Sequence, residues 1–157
     1  MKIAIICDVL GKGNNGTAVV TQNLYDHLKE SGNDVTIICA DQSKKGEDGY
    51  YVLPAIKLGK AVDAYVDSVG VSLAKCDKNA MEKVLRGVDY IHCIMPFALG
   101  RYAAKYAREH GIPVSAGFHL QAENITSYLK LNKISFIQTL VYKYLYRSFY
   151  SKVDASH

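Results

Sequence analysis

A glycine-rich loop, Gly11-Lys12-Gly13-Asn14-Asn15-Gly16, is the segment whose composition is best suited to ligand chemistry. It lies between an apolar run, Ile3 to Cys7, and a helical pattern that begins at Thr17. Because glycine has no Cβ, the backbone N–H groups of such a loop can approach a ligand closely. The N-terminus of the following helix also favours negative charge. The loop therefore predicts a site for an anionic ligand.

The same loop matches the dinucleotide pattern G-x-G-x-x-G, through Gly11, Gly13 and Gly16. An acidic residue, Asp41, follows the second apolar run, as that pattern requires. In dinucleotide-binding domains, however, the first glycine turns the chain directly off the strand, whereas here residues 8–10 come between. An NAD-binding domain of an oxidoreductase therefore stays open as an alternative, but the longer loop argues against it.

A second polar group follows the apolar run Val114 to Phe118. A neutral imidazole at His119 could exchange hydrogen bonds with a sugar hydroxyl, and it titrates near neutral pH. The alternative is a structural role, in which His119 only makes hydrogen bonds to nearby backbone groups. The side chains next to it also suit hydroxyl groups, although the last two could instead cap a helix that begins at Ile125. These neighbours are Gln121, Glu123 and Asn124.

Apolar runs and helical patterns alternate along the chain, which predicts an α/β fold: a Rossmann-like parallel sheet with helices on both faces. The predicted strands are residues 3–7, 35–40, 50–53, 90–94 and 114–118, with weaker ones near 69–74 and from 153. The predicted helices are residues 17–31, 61–67, 77–86, 99–107 and a long one from 125 or 134 to 150.

In such a sheet, ligands bind beyond the carboxyl ends of the strands. Three segments fall at those ends, and a Rossmann-like strand order makes their parent strands neighbours. We therefore expect the segments to line one crevice. They are residues 8–17, Met95-Pro96-Phe97 and residues 119–124.

Bulk composition further limits the class of protein to which the chain can belong. A length of 157 residues suits one domain, and a net charge of +4 is too small to indicate nucleic-acid binding. Three of the four cysteines lie in apolar runs without metal-ligand spacing, which favours reduced thiols in a cytoplasmic protein. There is neither a signal-peptide pattern nor an apolar run long enough to span a bilayer. Because the chain stops inside a strand-like run, we expect a longer protein.

The segment Lys130 to Lys152 combines tyrosines with basic residues. Tyr142, Tyr146 and Tyr150 recur at helical spacing and alternate with Lys143 and Arg147. Such a helix suits a peripheral contact with a membrane surface or a partner. The alternative, which we favour, is a packing helix with half-buried tyrosines and solvated lysines.

Taken in order, these segments resemble the N-terminal domain of family 4 glycosyltransferases, the retaining group with the GT-B fold. The resemblance covers essentially the whole chain and is closest to subgroups that glycosylate lipids or cell-envelope glycans. The motifs that carry it are Lys2-Ile3-Ala4-Ile5-Ile6, then Gly13-Asn14-Asn15-Gly16-Thr17, then Leu28 to Thr36 (family pattern LxxxGHxVxV, with Asn33 for the usual His), then Val88-Asp89-Tyr90-Ile91-His92, Met95-Pro96-Phe97, Leu99-Gly100, Gly111-Ile112-Pro113-Val114 and Phe118 to Ile125.

This resemblance implies that residues 1–157 are the acceptor-side domain, that a C-terminal donor-binding domain is missing, and that the chain alone is inactive. A nucleotide-diphosphate sugar would be the co-substrate, with neither a metal nor another cofactor. His119 would lie beside the transferred sugar. The substrate-binding residues would be Asn15, Gly16, Thr17, Met95, Pro96, Gln121, Glu123 and Asn124. A non-catalytic binding module on the same fold stays open as a third possibility.

Overall fold

The fold is built on one parallel sheet. The computed structural model describes residues 1–10, 16–57, 59, 73–118 and 135–157. Six strands occur in these ranges, in the order β3-β2-β1-β4-β5-β6, and every neighbouring pair is parallel. The strands are β1 (Lys2–Ile6), β2 (Asp34–Cys39), β3 (Tyr50–Val52), β4 (Tyr90–Cys93), β5 (Val114–Ala116) and β6 (Ala155–Ser156).

Four α-helices in the described ranges connect these strands. They are α1 (Gly16–Glu30), α2 (Lys78–Leu85), α3 (Ala98–His110) and α4 (Ser135–Ser148). The sequence sets several of their ends. The Asp77 carboxylate accepts the Ala80 N–H at 3.1 Å and begins α2. Gly111 ends α3 in the left-handed conformation, at φ 65°, which glycine adopts without a Cβ clash.

Both faces of the sheet are covered. Alternate residues of β1 point to opposite sides, so Ile3 and Ile5 belong to one buried cluster and Ala4 and Ile6 to another. On the first side, Ala18 and Tyr25 of α1 complete the cluster. On the second side, the cluster contains Met81 and Leu85 of α2, Leu99 and Ala103 of α3, and Phe149, which directly follows α4. The predicted Rossmann-like α/β fold is thus confirmed.

The sequence patterns located most elements correctly. The buried positions of α1 are Ala18, Thr21 and Tyr25. Leu24 and Leu28 are partly buried against the same cluster, whereas Val20 is 43% exposed. Thr21 can face the core because its hydroxyl donates to the Thr17 carbonyl at 2.7 Å. The predicted helix at 61–67 and most of the predicted strand at 69–74 lie outside the described residues.

The last part of the chain returns to the sheet. Phe149 is fully buried, and after it the chain enters β6 beside β5. Two hydrogen bonds fix that return. The Val114 N–H donates to the Asp154 carboxylate at 2.8 Å, and the Asp154 N–H donates to the Val114 carbonyl at 2.8 Å. This confirms the strand predicted from residue 153.

Candidate functional site at the carboxyl edge of the sheet

The predicted crevice lies where β1, β4 and β5 end. These three strands are neighbours in the sheet, as the prediction requires. The described residues include four of the predicted site residues at this edge, namely Gly16, Thr17, Met95 and Pro96. The other five lie outside the described residues, so their place in the site stays a prediction. These five are Asn15, His119, Gln121, Glu123 and Asn124.

The N-terminus of α1 presents an accessible surface at this edge. Gly16 is its first residue and is exposed. Its backbone is not in the left-handed region, so its φ does not by itself require glycine. Among the described residues beyond its own turn, a Cβ added to Gly16 would meet no heavy atom within 4 Å. Since the first turn of α1 also carries no acidic side chain, its N–H groups and dipole favour an anion here.

Met95 and Pro96 are both buried. Met95 is 8% exposed and packs in the cluster that contains Val9, Leu10 and Ala18. Ala18 is only two residues from Gly16, so this cluster joins the turn after β4 to the start of α1. Direct contact of Met95 and Pro96 with a substrate stays a prediction. What the structure shows is that both residues are buried and that Met95 packs against residues after β1 and in α1.

Asp8 is the residue of this edge that sequence reasoning missed. It follows β1, is 1% exposed, and reaches across to the N-terminus of α3. One carboxylate oxygen accepts the Leu99 N–H at 2.7 Å and the other accepts the Gly100 N–H at 3.1 Å. We call this pair of hydrogen bonds the Asp8 cap. It satisfies two of the N–H groups that a helix leaves without intrahelical partners.

The local sequence explains why α3 needs a cap from elsewhere. Phe97 occupies its N-cap position and makes no side-chain capping bond. A signal was available, because a carboxylate inside the buried run from Cys7 to Leu10 needs a partner. The partner itself could not be inferred, since Leu99 lies 91 residues further along the chain.

Burial dominates the electrostatics of Asp8. It raises the pKa of the carboxyl group from 3.8 to about 6, because a charged form is poorly solvated in this position. The N–H groups of Leu99 and Gly100, and next the charge of Arg101, oppose that rise. The other titratable groups that interact with Asp8 are the thiols of Cys7, Cys76 and Cys93, whose own pKa values burial raises. The two N–H donors thus stabilise the charged form of this carboxyl group, and burial opposes it.

The first turn of α3 also approaches the preceding turn very closely. A Cβ added to Gly100 would lie 2.2 Å from the Met95 carbonyl oxygen and 3.4 Å from its carbonyl carbon. A real Cβ could not occupy that position unless the backbone moved. Gly100 thus allows α3 to begin directly against the turn that contains Met95 and Pro96.

Other candidate residues have structural partners. His92 is buried and its Nδ1 lies 2.8 Å from the Ser115 hydroxyl, which confirms its interpretation as a core histidine. Asp41, the acidic residue of the dinucleotide alternative, accepts hydrogen bonds from the N–H and hydroxyl of Ser43 and begins a short 3-10 turn. Cys7, Cys39 and Cys93 are free and buried, as predicted. No group of metal-ligating side chains was found among the residues that the structure describes.

Two of the three tyrosines that recur at helical spacing on and after α4 are half-buried, as the favoured interpretation of a packing helix predicts. Tyr142 stacks on Phe118 with ring centroids 6.2 Å apart, and the Tyr150 hydroxyl donates to the Gly117 carbonyl at 3.2 Å. The three tyrosines therefore do not form one exposed row, although Tyr146 is 63% exposed. A different face is open, consisting of Leu140, Lys143, Tyr144 and Arg147 at helical spacing. In the described part of the chain, no helix is long and apolar enough to cross a membrane.

A parallel sheet with helices on both faces defines the class as an α/β protein with a Rossmann-like fold. Comparison with known protein families identifies the family within this class. The model of Glycosyltransferase Family 4 matches residues 14–156, so the chain belongs to that family. This result gives no support to the dinucleotide alternative. A search of curated proteins finds no match.

Proposed function

We propose that this chain is the acceptor-side half of a retaining glycosyltransferase. The enzyme would move a sugar from a nucleotide-diphosphate sugar to a lipid or glycan acceptor. Membership of Glycosyltransferase Family 4 carries the proposal, because it covers the glycine-rich loop from residue 14 and every strand after β1. The donor and acceptor are inferred from the motifs of the sequence.

The open N-terminus of α1 supports a role for this edge in binding the donor diphosphate. Among the described residues beyond its own turn, no heavy atom lies within 4 Å of the place of a Cβ on Gly16, and a helix N-terminus favours negative charge. The N-terminus of α3 is different, because the Asp8 cap already occupies two of its N–H groups. Of these two helix ends, α1 is therefore the one suited to a phosphate group.

His119 is proposed to act beside the transferred sugar. It comes directly after Phe118, at the end of the β5 segment, and β5 is the neighbour of β4. An imidazole there would exchange a hydrogen bond with a sugar hydroxyl and help to orient the reacting carbon. Gln121, Glu123 and Asn124 are proposed to bind acceptor hydroxyl groups.

The experiment measures sugar transfer by the complete protein with a panel of nucleotide-diphosphate sugars. His119→Ala should lower kcat at least about 100-fold, the usual size for the loss of one positioned acid–base group, without changing Tm. His27→Ala on the exposed surface of α1 is the matched control and should keep wild-type turnover. A product whose anomeric configuration is inverted, or unchanged turnover in His119→Ala, would contradict the proposal.

The 157-residue chain alone is proposed to be inactive, because the resemblance implies that a second domain makes most contacts with the nucleotide sugar. The purified chain should transfer no sugar under conditions in which the complete protein is active. Turnover by the chain alone would show instead that residues 1–157 already contain a whole active site.

A cytoplasmic location with peripheral membrane contact through α4 is proposed for a lipid acceptor. The supporting observation is the open face of α4, which combines Leu140 and Tyr144 with Lys143 and Arg147. Apolar and aromatic groups beside cations suit the headgroup region of an anionic bilayer. Tyr144 also lies over the Arg101 guanidinium, so part of this face is fixed against α3.

A further inference from the structure

We propose that Asp8 is a positioning residue for sugar transfer. Through the Asp8 cap it would fix α3, and the turn Met95-Pro96-Phe97 before it, relative to the end of β1 where substrates meet. This inference rests on the proposed function, because it assumes that the carboxyl edge is the active site.

The location of Asp8 is difficult to explain by helix stability alone. An N-cap residue normally lies next to its helix, as Asp77 does for α2 and Asp41 for the 3-10 turn. Such a local cap stays solvated and keeps its charge in water. Asp8 instead buries its charge and caps α3 from 91 residues away, although burial disfavours the charged form. A local polar residue at Phe97 would cap the helix without that cost.

What the Asp8 cap adds is a defined geometry between two strand ends. Its two oxygens accept N–H groups from consecutive residues, so they fix the direction of α3 as well as its distance. The Asp8 carbonyl also accepts the Ala74 N–H at 3.2 Å. The residue therefore joins the end of β1 to the start of α3 and to the segment that precedes α2.

Gly100 transmits this position to the turn after β4. Because the place of a Cβ on Gly100 lies 2.2 Å from the Met95 carbonyl oxygen, α3 cannot shift towards that turn without moving it. The Gly100 carbonyl in turn accepts a weak hydrogen bond from the Cys93 thiol at 3.7 Å. Displacement of α3 would thus displace the floor of the crevice, and errors of about 1 Å in a site can cost 100-fold in rate.

The test is Asp8→Asn in the complete protein. The amide has the size of the carboxylate and still accepts one N–H, but its NH₂ group faces the other donor. We expect kcat to fall at least tenfold while KM for the nucleotide sugar changes less than twofold. Hydrogen exchange should become faster at the Leu99 and Gly100 amides. Asp77→Asn makes the same chemical change at the N-terminus of α2 and should leave kcat within twofold of wild type.

A second variant keeps the test valid if Asp8→Asn does not fold. Gly100→Ala retains the carboxylate but separates α3 from Met95, and it should reproduce the selective loss of kcat. Wild-type kcat in either folded variant, with faster exchange at Leu99 and Gly100, would overturn the role of Asp8 and leave the enzyme function intact. Absence of transfer by the wild-type protein with every nucleotide sugar would overturn the proposed function itself.

Discussion

Replacing Gly100 by alanine tests the closest approach in this fold. Gly100 lies in the first turn of α3, and its missing side chain faces the Met95 carbonyl. The added Cβ would lie 2.2 Å from that oxygen and 3.4 Å from Phe149 Cε2. Contacts between carbon and oxygen are normally about 3.3–3.6 Å, so the overlap is about 1 Å. Because the obstacle is backbone, rotation of a side chain cannot relieve it.

The magnitude follows from two opposing terms. Overpacking of this kind costs about 3 kcal/mol at the upper end of the usual range, since both partners are held in place. Alanine in a helix gains about 1 kcal/mol over glycine. The free energy of unfolding should therefore fall by about 2 kcal/mol. For a chain of this size, that loss corresponds to a fall in Tm of roughly 4–8 °C.

Urea unfolding and thermal unfolding of three glycine variants provide the assay. Gly111→Ala has open space around it but a φ of 65°, so it should lose about 1 kcal/mol through backbone strain alone. Gly16→Ala has open space and an ordinary φ, and its stability should stay within about 0.5 kcal/mol of wild type. The expected order of destabilisation is Gly100→Ala, then Gly111→Ala, then Gly16→Ala.

Equal stabilities of Gly100→Ala and Gly16→Ala would refute this reasoning. That result would mean that α3 and the turn at Met95 can separate without cost. The Asp8 cap would then not hold them at a fixed distance.

Three further predictions concern pH, the loop and the membrane. Because burial raises the pKa of Asp8 from 3.8 to about 6, the stability contributed by this group is fully present below pH 3.8 and is lost as pH rises through about 6. Asp8→Asn, compared with wild type by urea unfolding at pH 4.5 and 7.5, should remove about 2 kcal/mol of that pH dependence, because part of the loss already occurs below pH 4.5. An unchanged dependence in the variant would mean that other groups cause it. Gly16→Val should lower sugar transfer by the complete protein at least tenfold with little change in Tm, since the position is open but a side chain there would meet the ligand. Normal kinetics in this variant would show that the loop only connects β1 to α1. Charge reversal at Lys143 and Arg147 should abolish co-sedimentation with anionic vesicles at low salt, because each cation near a membrane surface contributes about 1 kcal/mol to binding. The same change at the exposed residues Lys83 and Arg86 should leave co-sedimentation intact. Equal binding by both variants would exclude α4 as the membrane contact.

Much of the fold was predictable because its signals are local. Buried parallel strands appear as continuous apolar runs, and this located β1, β2 and β4 to within one or two residues. The cap at Asp77 and the left-handed glycine at Gly111, which set the ends of two helices, are also short-range features. The neighbouring positions of β1, β4 and β5 followed from the alternation of strands and helices.

The site was less predictable because its structural contacts are long-range. The Asp8 cap joins residues 91 and 92 positions apart, and no spacing rule connects them. The packing partner of the α4 tyrosines is also long-range, because Phe118 from another segment contacts Tyr142 and Tyr150. Periodicity identifies a helix, but the neighbour that packs against each side chain decides which face stays exposed.

The central position of β1 has a consequence for the order of folding. Its partners are β2, which begins at Asp34, and β4, which begins at Tyr90. On a growing chain, β1 to β3 can pair early, but the other edge of β1 has no partner until about 90 residues have been made. Contacts between distant residues form slowly because the intervening chain must first be ordered. The carboxylate of Asp8 would keep its bound water until α3 is in place, so its dehydration belongs to the late part of folding.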